Sequence, residues 1–526
     1  MFQTSSNLNV VIIGGGVAGM TTAVLLSEIP GLSVTLIEAE SKLGGIFRTS
    51  FTAPGIYYPA KREDMRALDT LLGNTTIVDE FYADLKKVVH FLEEKEVIKN
   101  KALMGFDNYH VDGNEKIKNT YGLDLLGSIP KALVQGYAKL KIYLGSDFWY
   151  HLTYRILAAF NLVEISDQLK TEVSSCGVNV NYNARVVNVR DGEVETAEGD
   201  VYAYDYLVFA SGGTGGNPEL QKRVYDVDFH THEYNKINTG IALQTAIDKG
   251  WAYNENIFAW YAEVVELKSG DVGPVLFQPG PAVMTVNREG KRVYNEKRCY
   301  NERGRVTLIE KELLLITDKN NLKRNTPNLV PGKYNAYLPS VHEGSYIEAS
   351  SLYDLTQQVR DQGIMKNISD DFESELWHQW MRYHQFVESG IDLEFQRGND
   401  VGEVLDGGDP SIPPASLLKN KAMAPIDESN LIAIRLLPST LDTCSGPKVD
   451  SSCRVQKPVN SANIGIEDFE AVGNIFAVGN ANEAILGGHY TAPGLPLSSG
   501  LVGAHRVYAH LLHVVNSNYY HISEFR

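Results

Sequence analysis

The chain is poor in cysteine. Four stand in 526 residues, Cys176, Cys299, Cys444 and Cys453, scattered and without a C-x-x-C pair. That spacing argues against a disulfide framework or a zinc site and points to a reducing compartment. Positive charge is also in deficit. With 48 Lys and Arg against 65 Asp and Glu the formal net charge is −17, a surface that repels phosphate backbones and anionic lipid, so nucleic acid is not expected as a partner. No window has the apolar length of a membrane-spanning helix. The aromatic-rich stretch 142–163 carries Asp147, His151 and Arg155 and reads as a buried or lid helix. The opening residues MFQTSSNLN lack a basic n-region and an apolar h-region. No signal peptide is therefore expected, and the expected location is the cytoplasm.

What is present begins at Asn9. Val10-Val11-Ile12-Ile13 is a β-branched run of the kind that forms a buried parallel strand; a glycine cluster follows, then helical periodicity over Met20–Ser27, then a second strand at Ser33–Glu38. This is a βαβ unit opening a doubly wound sheet. Residues 62–169 look mainly helical. Short alternating strands over Val178–Val201 turn at Asp191-Gly192 and Gly199-Asp200, and Tyr206–Ala210 is another buried strand. From about 270 to 435 strands and helices mix, and the sheet resumes at Ile475–Gly479 before a closing helix near Leu497. The expected fold is α/β. A discontinuous, doubly wound, Rossmann-like domain (1–270 and 436–526) would carry an inserted α+β capping or substrate domain (271–435).

The first loop supplies the nucleotide signal. In Gly14-Gly15-Gly16-Val17-Ala18-Gly19, Gly14 permits the tight turn, Gly16 lets backbone approach a pyrophosphate, and Gly19 lets the helix pack on the strand. The helix N-terminus offers unpaired N–H groups to phosphate. Glu38 ends the next strand, where its carboxylate accepts from a ribose diol and repels a 2′-phosphate. Three features favour FAD over NAD: Gly44-Gly45 after Glu38, the strand-then-glycine element Ala210-Ser211-Gly212-Gly213, and the late strand running into Gly479-Asn480. A second complete G-x-G-x-x-G between strand and helix is missing, so a dedicated NAD(P)H domain is not expected. The electron donor or acceptor is therefore open. The helix starting near Leu497-Ser498 would aim its positive end at the flavin.

With these pieces in order, the chain resembles the fumarate reductase and 3-ketosteroid dehydrogenase flavoprotein superfamily over nearly its whole length. The resemblance continues through Thr239–Ala242, Val286–Arg292, Asn295-Glu296 and Gly487–Gly494. Two positions decide the branch. Where fumarate reductases carry an acid-base arginine this chain has Tyr300, and where they carry histidine it has Leu441 within Pro438–Thr443. Both look like the 3-ketosteroid Δ1-dehydrogenase branch, as do Phe386–Gly398 and Ala424–Asp427. Cys299 stands where that branch has proline, and Thr491-Ala492 where it has Pro-Gly.

The resemblance implies non-covalent FAD and a small-molecule substrate, a lipophilic ketone or enone. It implies that Tyr300 removes a proton beside a carbonyl, that Tyr490 O–H and the Gly494 N–H hold the oxygen, and that Tyr109 hydrogen-bonds the base. The expected function is dehydrogenation of a C–C bond next to the carbonyl of a cyclic ketone. Two alternatives stand beside it: an ene-reductase on an activated alkene, and a flavin-holding protein without turnover. Arg292 and Glu296 are expected as a structural ion pair.

Overall fold

The computed structural model describes residues 7–46, 56–59, 62–98, 164–276, 278–324, 341–399, 403, 418–459, 468–491 and 494–524. Tyr109 and residues 142–163 lie outside the described residues.

The opening unit is β1 (Leu8–Ile13), α1 (Val17–Ser27) and β2 (Leu32–Ile37), with β1 and β2 parallel in register Leu8 to Leu32. Helices α2 (Arg66–Leu72), α3 (Thr75–Glu94) and α4 (Glu164–Ser175) follow. Next come β3 (Asn179–Asn181) and a three-stranded antiparallel sheet of β4 (Val186–Arg190), β5 (Glu193–Thr196) and β6 (Val201–Ala203). Strand β7 (Tyr206–Phe209) pairs parallel to β1, and helices α5 (Pro218–Tyr225) and α6 (Ile241–Lys249) follow it.

A second, antiparallel sheet is built from β8 (Ala259–Glu266), β9 (Val272–Pro274), β10 (Val283–Val286), β11 (Leu313–Asp318), β12 (Tyr346–Ala349) and β13 (Leu431–Thr443). Between these strands lie α7 (Tyr300–Glu310), α8 (Lys319–Arg324), α9 (Leu352–Gln362) and α10 (Phe372–Ser389). The chain then returns to the first sheet through β14 (Arg454–Pro458) and β15 (Phe469–Ala477), and closes with α11 (Leu495–Glu524). The first sheet therefore has the order β14-β15-β7-β1-β2-β3, parallel except for β14.

The β-branched run of β1 is needed because both faces of this sheet are covered. Val10 and Ile12 pack into a core with α1, α3, α4 and α11, while Val11 and Ile13 pack into the opposite core with β4, β5 and α6. β7 repeats this, Val208 on one side and Leu207 and Phe209 on the other. Each such side chain contributes roughly 1.5–3 kcal/mol by leaving water. The second sheet is sandwiched likewise. Met284, Leu314, Ile316 and Ala433 face α9 and α10, and Val283, Leu313, Leu315 and Ile434 face the other way. Arg292 and Glu296 sit fully buried in that unit, 2.8 Å apart and joined by Asp392 and Arg397.

We propose the division 1–270 plus 436–526 against 271–435 for the two domains; β8 precedes the first of those bounds and β13 crosses the second. Ala18, Gly479 and Gly500 meet at closest approach, which brings the start of α11 against the first turn of α1.

The α3–α11 contact is tied by charge. Asp84 receives Arg506 Nε at 3.0 Å and lies 3.4 Å from His505 Nδ1. Against the cost of burial, these partners hold the Asp84 carboxyl down at about 2. A depressed carboxyl stabilises the fold above its unfolded value near 3.9, and the contribution is lost as pH falls through the folded one. Asp84→Asn is expected to destabilise the protein by roughly 1–2 kcal/mol at neutral pH after solvent screening. Thermal melts should show the gap to wild type closing as pH falls from about 4 towards 2; a gap independent of pH would remove the ion pair from the account.

Candidate active site

A cleft runs along the carboxyl ends of β1, β2, β7 and β15, the place where open α/β sheets bind ligands. Its floor is the first glycine loop. Gly14 has φ +104°, and a Cβ there would come within 2.6 Å of the Ala210 carbonyl oxygen. Gly16 is different. Its φ of −71° suits any residue, and a Cβ built on it meets nothing within 4 Å. Neither backbone conformation nor protein packing requires glycine there, so the requirement comes from what occupies the cleft. Gly16 also caps α1 without a side-chain hydrogen bond, and the first turn holds no acidic residue. The helix N–H groups are thus left for an anion.

At one end of the cleft Glu38 is buried, its Oε2 accepting from Gly15 N and its Oε1 from Glu40 N, both at 2.8 Å. Both bonds fix the carboxylate in the cleft wall, and each oxygen has a further lone pair. Arg185 faces it from the loop after β3, held by Glu40 at 3.0 Å. The Ser211 hydroxyl, also in the wall, is buried with no hydrogen-bond partner among the described residues. A glycine cradle, an uncapped helix end, a fixed carboxylate and an orphaned hydroxyl fit an adenine dinucleotide.

At the other end lie Ile46, Asn480, Pro496, Leu497 and Asp442. Asn480 Oδ1 accepts from Trp260 Nε1 at 3.1 Å, and the Trp260 ring packs on Tyr490 with centroids 5.3 Å apart. Tyr490 in turn is hydrogen-bonded, hydroxyl to hydroxyl, to Tyr300, the first residue of α7. Ala262, Cys299, Leu276 and Leu441 pack around the pair, and Leu441 also touches Tyr234 beside Ile46. The tyrosines therefore stand in a packed apolar cluster, linked through Trp260 and Asn480 to this end of the cleft. Burial, and then the neighbouring Tyr300, push the Tyr490 hydroxyl well above 10, while the Gly494 backbone N–H opposes the shift by hydrogen-bonding to it. Tyr490 is consequently a neutral O–H donor. Burial likewise pushes the Cys299 thiol up to about 12, which leaves it unreactive at neutral pH.

The structure brings Gly14, Gly16, Glu38, Gly44, Gly45, Ala210, Gly212, Gly479, Asn480 and Leu497 into one cleft wall, and places Tyr300, Tyr490 and Gly494 together. Two expected residues stand outside the wall. Gly19 lies beneath it, where a Cβ would overlap the Gly14 carbonyl oxygen. The Ser498 hydroxyl is buried and donates to Tyr57 O at 2.7 Å. Sequence reasoning missed Arg185, Asn238 and Asp442, all in the wall. No local pattern marks them, because each reaches the cleft through tertiary packing.

Comparison with known proteins agrees with this geometry. A family model described as an FAD binding domain matches residues 9–497. The 4-oxocyclohexanecarboxylate 2-dehydrogenase of Sinomonas cyclohexanicum is 22% identical, over 94% of this chain and 90% of its own. Two solved structures share the fold. The 3-ketosteroid Δ1-dehydrogenase of Sterolibacterium denitrificans superposes with a TM-score of 0.66 at 16% identity, covering 97% of this chain and 100% of that one. A flavocytochrome c3 fumarate reductase gives 0.60 at 15% identity, covering 97% and 79%.

The Gly16 cradle can be tested directly. Gly16→Val places methyl groups where the protein itself has open space. It should leave the apoprotein folded but raise the dissociation constant for FAD about 100-fold, or roughly 3 kcal/mol. Flavin fluorescence quenching on titration would read this. An unchanged affinity would put the phosphates elsewhere.

Proposed function

The chain belongs to the FAD binding domain family, and on that premise we propose that it is an FAD-dependent dehydrogenase. It would oxidise the C–C bond next to the carbonyl of a small, lipophilic cyclic ketone. The observation that carries this reading is the hydroxyl-to-hydroxyl contact of Tyr300 and Tyr490 in an apolar cluster beside the Asn480 end of the cleft. Named activities of the similar proteins on 4-oxocyclohexanecarboxylate and a 3-ketosteroid support the substrate class.

In this reading the bound FAD supplies a two-electron acceptor for hydride from the β-carbon. The chain does the rest. Tyr490 stays protonated and donates to the substrate carbonyl oxygen, and the Gly494 N–H, which donates to the Tyr490 hydroxyl in the structure, would turn to the same oxygen when substrate binds. Both stabilise the negative charge that grows on that oxygen as the α-proton leaves. Tyr300 takes that proton. Its place in the first turn of α7 sets it at the positive end of the helix, which favours an anion. Ala262, Leu276 and Leu441 exclude water from the reacting carbon and would accommodate a ring.

The cofactor roles proposed for the cleft-lining residues follow from position: Gly14 and Gly16 with the α1 N-terminus at the pyrophosphate, Glu38 at the ribose, Asn480 and Leu497 at the flavin. The partner that removes electrons from the flavin is not specified. Among the described residues no helix is long and apolar enough to cross a membrane. The four cysteines are free, which supports the cytoplasm as the proposed location.

Anaerobic mixing of the oxidised holoenzyme with 4-oxocyclohexanecarboxylate or a 3-ketosteroid should bleach the flavin absorbance. Tyr300→Phe should retain flavin and bleach about 10²- to 10⁴-fold more slowly, and Tyr490→Phe roughly 10²-fold more slowly. If neither ketone bleaches the flavin while cyclic enones reoxidise the reduced enzyme, the chain is an ene-reductase instead. A Tyr300→Phe variant reacting at the wild-type rate would assign the base elsewhere.

A further inference from the structure

Asp442 lies next to the last residue of β13, 2% exposed, in the cleft wall. Its Oδ2 accepts from Asn480 Nδ2 at 2.8 Å, Asn238 Nδ2 at 2.9 Å and Gly213 N at 3.2 Å. Its Oδ1 accepts from Gly215 N at 3.2 Å. All four donors are neutral, and among the described residues no Lys, Arg or His forms an ion pair with it. The Cys444 thiol beside it is pushed well above 9 by burial and by Asp442 itself, so it too is neutral. Asp442 thus brings a buried negative charge that is solvated by dipoles but not cancelled by a cation.

Burying such a charge is costly, and a neutral acceptor could hold most of the same donors without that cost. The charge therefore calls for a reason beyond holding the loop after β7. Its place in the cleft supplies one. Glu38 marks the nucleoside end; Asp442 is at the opposite end, hydrogen-bonded to the same Asn480 amide that receives Trp260 beside the tyrosine pair. The cleft at this end is where the isoalloxazine ring belongs. Adding electrons to that ring brings negative charge next to a fixed negative charge in a site with little water to screen it. The positive end of α11 works the other way, but it amounts to roughly half an elementary charge, against a full charge on Asp442.

We propose that Asp442 is an electrostatic residue of the flavin site, whose charge holds the reduction potential of the bound FAD below the value that the same cleft would otherwise give. The effect sets how strong an oxidant the flavin is towards any donor. It rests on FAD in the cleft and not on the ketone reading, because a potential is measured without substrate.

Midpoint potentials of purified holoenzyme, read from flavin absorbance against a reference dye at pH 8, test this. Burial raises the Asp442 carboxyl above its usual range against the opposing hydrogen bonds, so a pH above neutrality favours its charged form. Asp442→Asn and Asp442→Ser should each shift the midpoint upward by about 30 mV or more, a tenfold change in the oxidised-to-reduced ratio of a two-electron couple. Asp442→Glu, which keeps the charge, should stay closer to wild type than either. Serine leaves room for water at the Gly213 and Gly215 N–H groups if asparagine misfits. Neutral variants that hold flavin at the wild-type potential would overturn the proposal. So would a glutamate variant that shifts as far as they do, since packing would then be the cause. Loss of flavin from both neutral variants would make Asp442 a structural clamp and overturn it as well.

Discussion

One close approach governs the molecule: the first turn of α1 against the end of β1. A side chain on Gly19 would overlap the Gly14 carbonyl oxygen, so the helix axis can come this near the strand only with glycine in place. That approach fixes where the uncapped N-terminus of α1 points, and hence where a phosphate can be held. It also leaves α1 low enough for Ala18 to meet Gly479 and Gly500. The end of β15 and the start of α11 thereby reach the same cleft, although more than 450 residues of chain separate them from Ala18. The long return through the second sheet is possible because β15 re-enters beside β7, parallel and in register at Ile475 with Leu207.

The second sheet owes its position to β13. This 13-residue strand pairs with β11 and β12 over its first half and with β8 over its second. Its far end delivers Leu441 to the tyrosines and Asp442 to the cleft. A single strand thus carries one apolar and one charged residue to the two sides of the proposed boundary between cofactor and substrate. The neighbouring β8 adds Trp260, whose ring supports Tyr490 and whose N–H is tied to Asn480.

Much of the first sheet was legible because its signals are local. β1, β7 and the end of β15 are short apolar runs covered on both faces, and such runs announce themselves whatever the rest of the chain does. The glycine loop and Glu38 were legible for the same reason. The start of the last helix was misplaced by two residues: α11 begins at Leu495, not near Leu497. Ser498 faces the core, where its hydroxyl finds Tyr57. Gly19 is the packing contact of helix on strand that its place in the glycine loop implied. Arg185 and Asp442 were not legible, because the partners that hold their side chains lie far along the chain. Arg185 is placed by the pairing of β3 with β2, and Asp442 by loops more than 200 residues earlier in the chain.

The tyrosine pair shows why residue type alone is a weak guide in a chain with 28 tyrosines. Two phenols of identical chemistry meet hydroxyl to hydroxyl, yet their surroundings differ. Tyr490 lies between the Trp260 and Tyr300 rings, and burial there disfavours its charged form. Tyr300 is buried too, but it sits on the positive end of an 11-residue helix, which offsets part of that cost. A donor that must keep its proton and a group that must accept one can be made from the same side chain only if the fold sets them in unlike fields. The proposed division of labour follows from that asymmetry. The asymmetry comes from α7 and β8, elements of the second sheet, while the loop that carries Tyr490 leads directly into α11 of the first. Chemistry of this kind needs both units, which explains why the tyrosines stand where the two meet.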